Sequence, residues 1–177
     1  MKILIIGPLG AGKSSLAYAI NKKFRFPRLN LDELCRNPKD GSYYSPEYSF
    51  EKLTEFTKKH PYWVIEGSQS YLYEKLQPNL IIDMRIHRIK AIWRFTLRFF
   101  KAKKLIGKNI DKNLPVQAYH YRKITLSKIL EWDRANKEIN KQIADYLKNT
   151  EILVLPCKNF KDYKKIFDYI EFPSTFF

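Results

Sequence analysis

Eight residues near the amino end of the chain have the types and the spacing needed to bind phosphate groups. The stretch 7–14 reads GPLGAGKS and fits the pattern G-x-x-x-x-G-K-[ST] at every fixed position. Its glycines permit backbone angles that a Cβ would obstruct, so consecutive main-chain N–H groups can turn toward one anion. Lys13 supplies a movable charge for β- and γ-phosphates, and the Ser14 hydroxyl can bind Mg²⁺. The nucleotide-binding residues predicted from this motif are Gly7, Gly10, Ala11, Gly12, Lys13, Ser14 and Ser15.

The sequence on either side predicts a strand before the motif and a helix after it. An apolar run at 2–6 leads into the glycines, and residues 13–24 carry an apolar stripe at three- and four-residue spacing. A glycine-rich turn with a lysine beside it can arise by chance, but this context favours a phosphate loop. The start of the helix would add its positive end to the attraction for phosphate.

Two carboxylates compete for the role of a second Mg²⁺ ligand at a strand end. Glu66 is the leading candidate, partly through a water, because Glu66 and Gly67 end the predicted strand 62–66 abruptly. Asp83 is the competitor, but it is followed by Met84 inside an apolar run and is expected to point to the edge of the sheet. We therefore predict Mg²⁺ bound by Ser14 and Glu66.

A third carboxylate, Asp32, stands at the end of a short predicted strand at 28–31. It can orient or deprotonate an acceptor hydroxyl, or hold a polar group of the acceptor. The alternative is a structural role, because Asp is a preferred N-cap and a turn at 33–36 follows. Both interpretations remain open from the sequence.

A long helical pattern after the fourth strand is strongly basic. The segment 84–110 contains nine Lys or Arg and no Asp or Glu. Arg94 and Arg98 lie one turn apart, a spacing suited to a planar grip on phosphate oxygens. Solvated surface lysines explain many such stripes, but arginines without neighbouring carboxylates favour an anion. That anion is the nucleotide, a nucleic-acid backbone or an anionic lipid, and 85–108 is the candidate nucleic-acid surface.

Composition limits the class of protein. The 177 residues are 45% hydrophobic and carry a net charge of +15, which attracts polyanions but does not specify a fold. No run is long enough to cross a bilayer, and residues 1–6 lack the features of a signal peptide, so we expect a cytoplasmic protein without a membrane partner. The two cysteines are far apart and in no metal-binding pattern.

Five predicted strands alternate with helical segments. The strands are expected at 2–6, 28–31, 62–66, 80–84 and 151–155, where Pro156 breaks the last one. Helices are expected at 13–24, 45–60, 69–76, 86–104, within 119–148, and at 160–170. This alternation predicts an α/β doubly wound fold with a parallel sheet, whose strand ends bring the loop, Asp32 and Glu66 to one rim.

These residues resemble the adenylate-kinase-like group of P-loop kinases. Within that group, the chain is most similar to small bacterial proteins called DNA topology modulation proteins. The resemblance covers most of the chain, and the phosphate loop, a Walker A motif, is its specific part. It implies a three-layer P-loop NTPase fold with strand order 2-3-1-4-5, Arg94 and Arg98 closing over the transferred phosphate, a small helical lid at 105–118, and an adenine contact at 156–159, including Cys157 and Asn159.

The chain departs from that family pattern on the acceptor side. The family normally has Asp at the position of Glu66, and an arginine that grips an acceptor monophosphate at a position held here by Ser70 or Tyr71. The predicted lid is short and has no cysteines for zinc. We therefore expect one domain, 1–177, in which 33–60 is the candidate acceptor-binding excursion and the acceptor itself is open.

The predicted function is an ATP- and Mg²⁺-dependent phosphotransferase, acting on a small molecule, a nucleoside or a nucleotide. Its predicted catalytic residues are Lys13, Asp32, Arg94 and Arg98. The candidates for the wall of the acceptor pocket are Tyr43, Tyr44, Tyr71 and Tyr73. The alternative is a nucleotide-dependent nucleic-acid-binding protein in which ATP acts as a switch. A GTPase switch is disfavoured because no Asn-Lys-x-Asp sequence occurs.

Overall fold

One five-stranded sheet organises the computed structural model, which describes residues 1–87, 89–90, 93–94, 96–97 and 126–173. The strands are β1 (Lys2–Ile6), β2 (Arg28–Asn30), β3 (Trp63–Glu66), β4 (Leu80–Met84) and β5 (Leu153–Cys157). All neighbouring strands pair in parallel, in the order β2-β3-β1-β4-β5. The predicted parallel sheet and its strand order are confirmed.

Helices connect the strands, as the alternating pattern predicted. They are α1 (Lys13–Phe24), α2 (Leu31–Leu34), α3 (Pro46–Lys59), α4 (Leu126–Lys148) and α5 (Lys161–Glu171), with a 3₁₀ helix at Ser70–Lys75. Ser45 caps α3, its hydroxyl accepting from the Tyr48 N–H at 3.2 Å, and Pro46 is the first helical residue. Residues 89, 90, 93, 94, 96 and 97 are also helical.

Each face of the sheet carries its own apolar cluster because side chains alternate along a strand. Ile3 and Ile5 of β1 pack on one face with buried residues of α1 and α5. Leu4 and Ile6 pack on the other face with residues of α3, the 3₁₀ helix and α4. The result is the expected three-layer arrangement, with β1 in its middle.

Two predicted strands differ from the structure at their carboxyl ends, and the last one also begins at Leu153 rather than at 151. The last strand runs to Cys157 rather than ending before Pro156, and Pro156 pairs in register with Asp83. Proline has no N–H to donate to a neighbouring strand. Because β5 is an edge strand and Pro156 is exposed, Pro156 can face the side of β5 that has no neighbouring strand, where no hydrogen bond between strands is needed. The second strand ends at Asn30, and Leu31 already begins α2.

The register of the sheet places the candidate site residues at the edge formed by the carboxyl ends of the strands. Ile5 lies between Glu66 of β3 and Ile82 of β4, and Ile6 lies beside Asp83. The loop that follows β1 therefore leaves the sheet between the ends of its two neighbours, where ligands bind in open α/β sheets. Within the described residues, no helix has both the length and the apolar character needed to cross a membrane.

Candidate functional site

The loop after β1 has positive φ angles at its three glycines, Gly7, Gly10 and Gly12, which is a backbone conformation that favours glycine. Gly7 has φ +145°, and a Cβ there would lie 2.6 Å from the carbonyl oxygen of Met84. Gly12 has φ +102° and occupies the N-cap position of α1. A turn between them is closed by the Ala11 N–H, which donates to the Pro8 carbonyl at 3.2 Å. The loop at the amino end of α1 thus has the glycine-dependent backbone that a phosphate loop requires.

Lys13 projects back into this loop from the first turn of α1. Its side chain is 7% exposed, and Nζ donates to the carbonyls of Gly7 at 2.8 Å and Pro8 at 3.2 Å. Nζ also donates to the Ser68 hydroxyl at 3.1 Å, in the segment that follows β3. The ammonium group is therefore positioned at the loop, as a cation for phosphate oxygens would be.

Glu66 ends β3 beside Lys13 and is almost fully buried, with 1% exposed. Burial raises the pKa of its carboxyl above the ordinary value of 4.5, while the charge of Lys13 and a hydrogen bond with Ser14 act in the opposite direction. Its Oε1 atom has no hydrogen-bond partner in the described part of the chain.

The surroundings of Glu66 fit a hard cation. A buried carboxylate oxygen without a partner, next to the Ser14 hydroxyl, offers the oxygen ligands that Mg²⁺ prefers. Asp83, the competitor, already accepts from Arg85 Nε at 2.6 Å. No group of three or more His, Cys, Asp or Glu side chains with metal-site geometry occurs among the described residues, so a cation here would keep several waters.

Asp32 lies within α2 and is not the residue that caps it. The cap is Asn30, whose Oδ1 accepts from the N–H groups of Asp32 at 2.8 Å and Glu33 at 3.2 Å. The Asp32 carboxylate instead accepts at Oδ1 from the Ser68 N–H and from Gln69 Nε2, both at 3.2 Å. The predicted capping alternative for Asp32 is therefore wrong, because Asn30 takes the capping role. Ser68 contacts both Asp32 and Lys13.

The structure brings Arg94 to the phosphate loop. Arg94 Nη1 donates to the carbonyl oxygens of Ala11 at 3.2 Å and Gly10 at 3.5 Å. Arg98 lies outside the described residues, as does most of the basic segment 85–108 and all of the predicted lid, 105–118. Of the two predicted arginines, Arg94 is the one that the described structure connects to the site.

A cavity of about 260 Å³ opens beside the phosphate loop. Ala11, Gly12, Ser15 and Arg94 line its loop side. The segment after β5 lines the opposite side, and its lining residues include Cys157, Asn159, Phe160 and Tyr163. Burial raises the pKa of the Cys157 thiol to about 11, so at neutral pH this group lines the cavity without a charge. Cys157 and Asn159 thus line the same cavity as the loop residues Ala11 and Gly12.

Sequence reasoning missed the two aromatic residues of this cavity. Phe160 is 69% exposed and its ring packs against that of Tyr163, with centroids 5.0 Å apart. The available signal was the position of this segment directly after the last strand. Asp162, which lies between the two aromatic residues, accepts at its carboxylate from the N–H groups of Lys158 at 2.7 Å and Asn159 at 3.1 Å.

The four candidate tyrosines have different surroundings. Tyr73 is fully buried, and its hydroxyl donates to the Gly67 carbonyl at 2.7 Å, which is a packing role. The Tyr71 hydroxyl lies 3.2 Å from Cys35 Sγ, and burial raises the pKa of Tyr71 to about 12. The Tyr43 ring stacks under the Arg36 guanidinium. The Tyr44 ring lies 4.5 Å from the Tyr48 ring.

One further contact to the loop comes from α4 and was not predicted. The Leu9 N–H donates to Asn136 Oδ1 at 2.9 Å, across 127 residues of sequence. Asn136 is 5% exposed. The signal in the sequence was a polar residue at an apolar position of a helix, since Asn136 shares a face of α4 with Ile139 and Ile143.

Comparison with known proteins finds deoxynucleoside kinases. A deoxyguanosine kinase of Bacillus subtilis (strain 168) is 36% identical over 88 residues, which are 49% of this chain. The match covers 41% of that relative, so the chain spans about two fifths of its length. No protein-family model matches the chain.

A solved structure, that of deoxyadenosine kinase from M. mycoides with bound dATP, has a similar fold. The TM-score is 0.50 at 14% identity, and the match covers 97% of this chain and 100% of that one. Neither relative supports the DNA topology modulation name. Together with the strand order, the structural likeness shows that this chain has the α/β fold of the P-loop kinases.

Proposed function

We propose that this protein is an ATP-dependent phosphotransferase whose acceptor is the hydroxyl group of a deoxynucleoside. The observation that carries the proposal is the contact of Ser68 with both Lys13 and Asp32. Through it, the cation of the donor site and the carboxylate of the acceptor site belong to one hydrogen-bonded group. The names of the two relatives, a deoxyguanosine kinase and a deoxyadenosine kinase, support the same activity.

On the donor side, the N–H groups of residues 10–14 would surround the phosphates, and the base would enter the cavity lined by Cys157, Asn159 and Phe160. Lys13 and Arg94 would neutralise charge on the phosphoryl oxygens as it develops. We assign Arg98 the same role on the basis of its spacing from Arg94. Ser14 and Glu66 would hold Mg²⁺, which when bound neutralises phosphate charge.

On the acceptor side, Asp32 would orient the hydroxyl and take its proton. A bond forms between the acceptor oxygen and the γ-phosphorus as the bond to the β–γ bridging oxygen breaks, and ADP leaves. Ser68 and Gln69 both bind Oδ1 of Asp32, and no described residue hydrogen-bonds to Oδ2, which is therefore assigned to the acceptor.

A nucleoside fits this site better than a nucleoside monophosphate. The family's phosphate-gripping arginine is replaced by Ser70 or Tyr71, so a monophosphate would lack its main cationic partner. A neutral nucleoside needs no such partner. The candidate acceptor segment is 33–60, within a single domain at 1–177. A nucleic-acid partner has no support from either relative, and a cytoplasmic location is proposed on the reduced state of Cys35 and Cys157.

The test is ADP release from ATP and Mg²⁺ with a panel of deoxynucleosides, ribonucleosides and monophosphates. We expect turnover with a purine deoxynucleoside and a loss of at least about 100-fold in Lys13→Ala. Lys22→Ala is the matched control, because Lys22 is an exposed lysine of the same helix. Turnover of monophosphates alone would overturn the acceptor assignment, and an active Lys13→Ala variant would overturn the donor assignment.

A further inference from the structure

The long helix α4 has a buried polar residue, Asn136, at the start of the core-facing stripe that the structure describes. Asn136 shares that stripe with Ile139, Ile143, Tyr146 and Leu147, which pack in the apolar cluster between α4 and the sheet. Asparagine is a weak helix former, and its buried amide requires partners. An apolar residue would suit the helix and the cluster better, so a specific contact must explain the asparagine.

That contact is with the phosphate loop. Residues 8–11 form a turn in which the Ala11 N–H donates to the Pro8 carbonyl, and Leu9 follows Pro8 in this turn. An N–H at this position of a turn points outward and has no acceptor within the turn. Asn136 Oδ1 accepts it at 2.9 Å. The helix therefore contacts the loop at Leu9, next to the residues whose N–H groups are expected to surround the phosphates.

We infer that Asn136 is a positioning residue for the phosphate loop, an inference that rests on the proposed binding of ATP by that loop. It fixes the turn at Leu9 before the nucleotide arrives. The N–H groups of residues 10–14 are then already ordered, so ordering them does not reduce the affinity for ATP. Loss of this contact weakens the binding of ATP and leaves the acceptor half of the site intact.

A second polar contact of α4 provides a matched control. The Ser70 hydroxyl donates to Gln142 Oε1 at 2.7 Å, which joins the same helix to the 3₁₀ helix instead of to the loop. Asn136→Leu removes the hydrogen bond to Leu9, and Gln142→Leu removes the hydrogen bond from Ser70 together with the exposed one from Gln142 Nε2 to Glu138. Their effects on ATP binding should differ, because Asn136 contacts the loop and Gln142 contacts the 3₁₀ helix.

The experiment measures Kd for ATP by calorimetry, kcat, and KM for ATP and for the deoxynucleoside that the wild type phosphorylates. Asn136→Leu is expected to raise Kd and KM for ATP about tenfold, the equivalent of one lost hydrogen bond, with kcat and the acceptor KM near wild type. Gln142→Leu is expected to leave the ATP constants unchanged. Melting temperatures establish that both variants fold, and Asn136→Ser, whose shorter side chain does not reach Leu9, replaces Asn136→Leu if the latter is unfolded.

Three outcomes overturn the inference. ATP constants of Asn136→Leu equal to the wild type's exclude a positioning role, while wild-type turnover leaves the proposed function standing. Equal losses of ATP affinity in Asn136→Leu and Gln142→Leu mean that α4 acts on the site only through general stability. A wild type that neither binds ATP nor releases ADP removes the proposed function and this inference together.

Discussion

At Glu66, burial and charge act in opposite directions on one carboxyl group. Burial raises its pKa, and the neighbouring Lys13 and Ser14 limit the rise. The group thus keeps an ionised form available at a cost in stability, as expected where a cation is to bind. Lys13 in turn is held by two loop carbonyls and by Ser68, so contacts within the chain position the cation of the site.

The raised pKa of Glu66 predicts how the stability of the ligand-free protein depends on pH. The folded chain holds the Glu66 proton more tightly than the unfolded chain, so wild-type stability falls as pH rises from 4.5 through the raised pKa. In Glu66→Gln the side chain at this position has no proton to lose, so the stability of the variant should fall less over the same pH range. Urea unfolding of both proteins from pH 4 to 8 checks it. Glu74→Gln, at an exposed glutamate, is the control and should match the wild type. Parallel curves for wild type and Glu66→Gln would contradict the assignment.

At the scale of the elements, the site depends on the close approach of β1 and β4. Where β1 ends, Gly7 lies against Met84 at the end of β4, and a Cβ would meet backbone atoms that cannot rotate away. Gly7, the first residue of the loop, therefore contacts Met84, which also lines the cavity beside the loop. A glycine is required here by space as well as by its φ of +145°.

We predict that Gly7→Ala destabilises the protein far more than Gly41→Ala does. Both glycines have positive φ, but a Cβ at Gly41 meets nothing within 4 Å. The Gly41 change adds only the backbone cost, about 1 kcal/mol, while Gly7→Ala adds the displacement of Met84, for a total of about 3 kcal/mol. Chemical denaturation of the two variants measures both values. Equal losses would show that the strands separate easily at this point.

At the scale of the whole molecule, one sheet couples the two apolar clusters to the rim where the site lies. Alternate residues of β1 belong to opposite clusters, so α1 and α5 on one face and α4 on the other are joined through the same strand. The phosphate loop begins where this strand ends and continues into α1. Binding at the loop should therefore stabilise the folded state as a whole.

We predict that ATP with Mg²⁺ raises the melting temperature. At an ATP concentration of about 100 times Kd, the stabilisation is about 2.7 kcal/mol, which corresponds to about 5–10 °C for a protein of this size. Thermal unfolding with increasing ATP measures it, with Mg²⁺ alone as the baseline. Lys13→Ala should show little or no rise. An equal rise in that variant would mean that ATP binds somewhere other than the loop.

The sequence by itself determined the glycine-rich loop at 7–14, the five strands and the alternation that makes the fold. These are local signals: a fixed spacing of glycines, lysine and serine, apolar runs that suit buried strands, and three- and four-residue stripes that suit helices. It also indicated Glu66 over Asp83, because the residues next to each carboxylate differ.

Only the tertiary structure decided which of these residues meet. Ser68 contacts Lys13 across 55 residues and Asp32 across 36, and Asn136 reaches Leu9 across 127. It also decided that Asn30 caps α2 and that Pro156 belongs to β5. Local patterns cannot specify such pairs, because the partner of a buried polar group depends on how the crossovers stack helices on the sheet and on which strand lies at its edge.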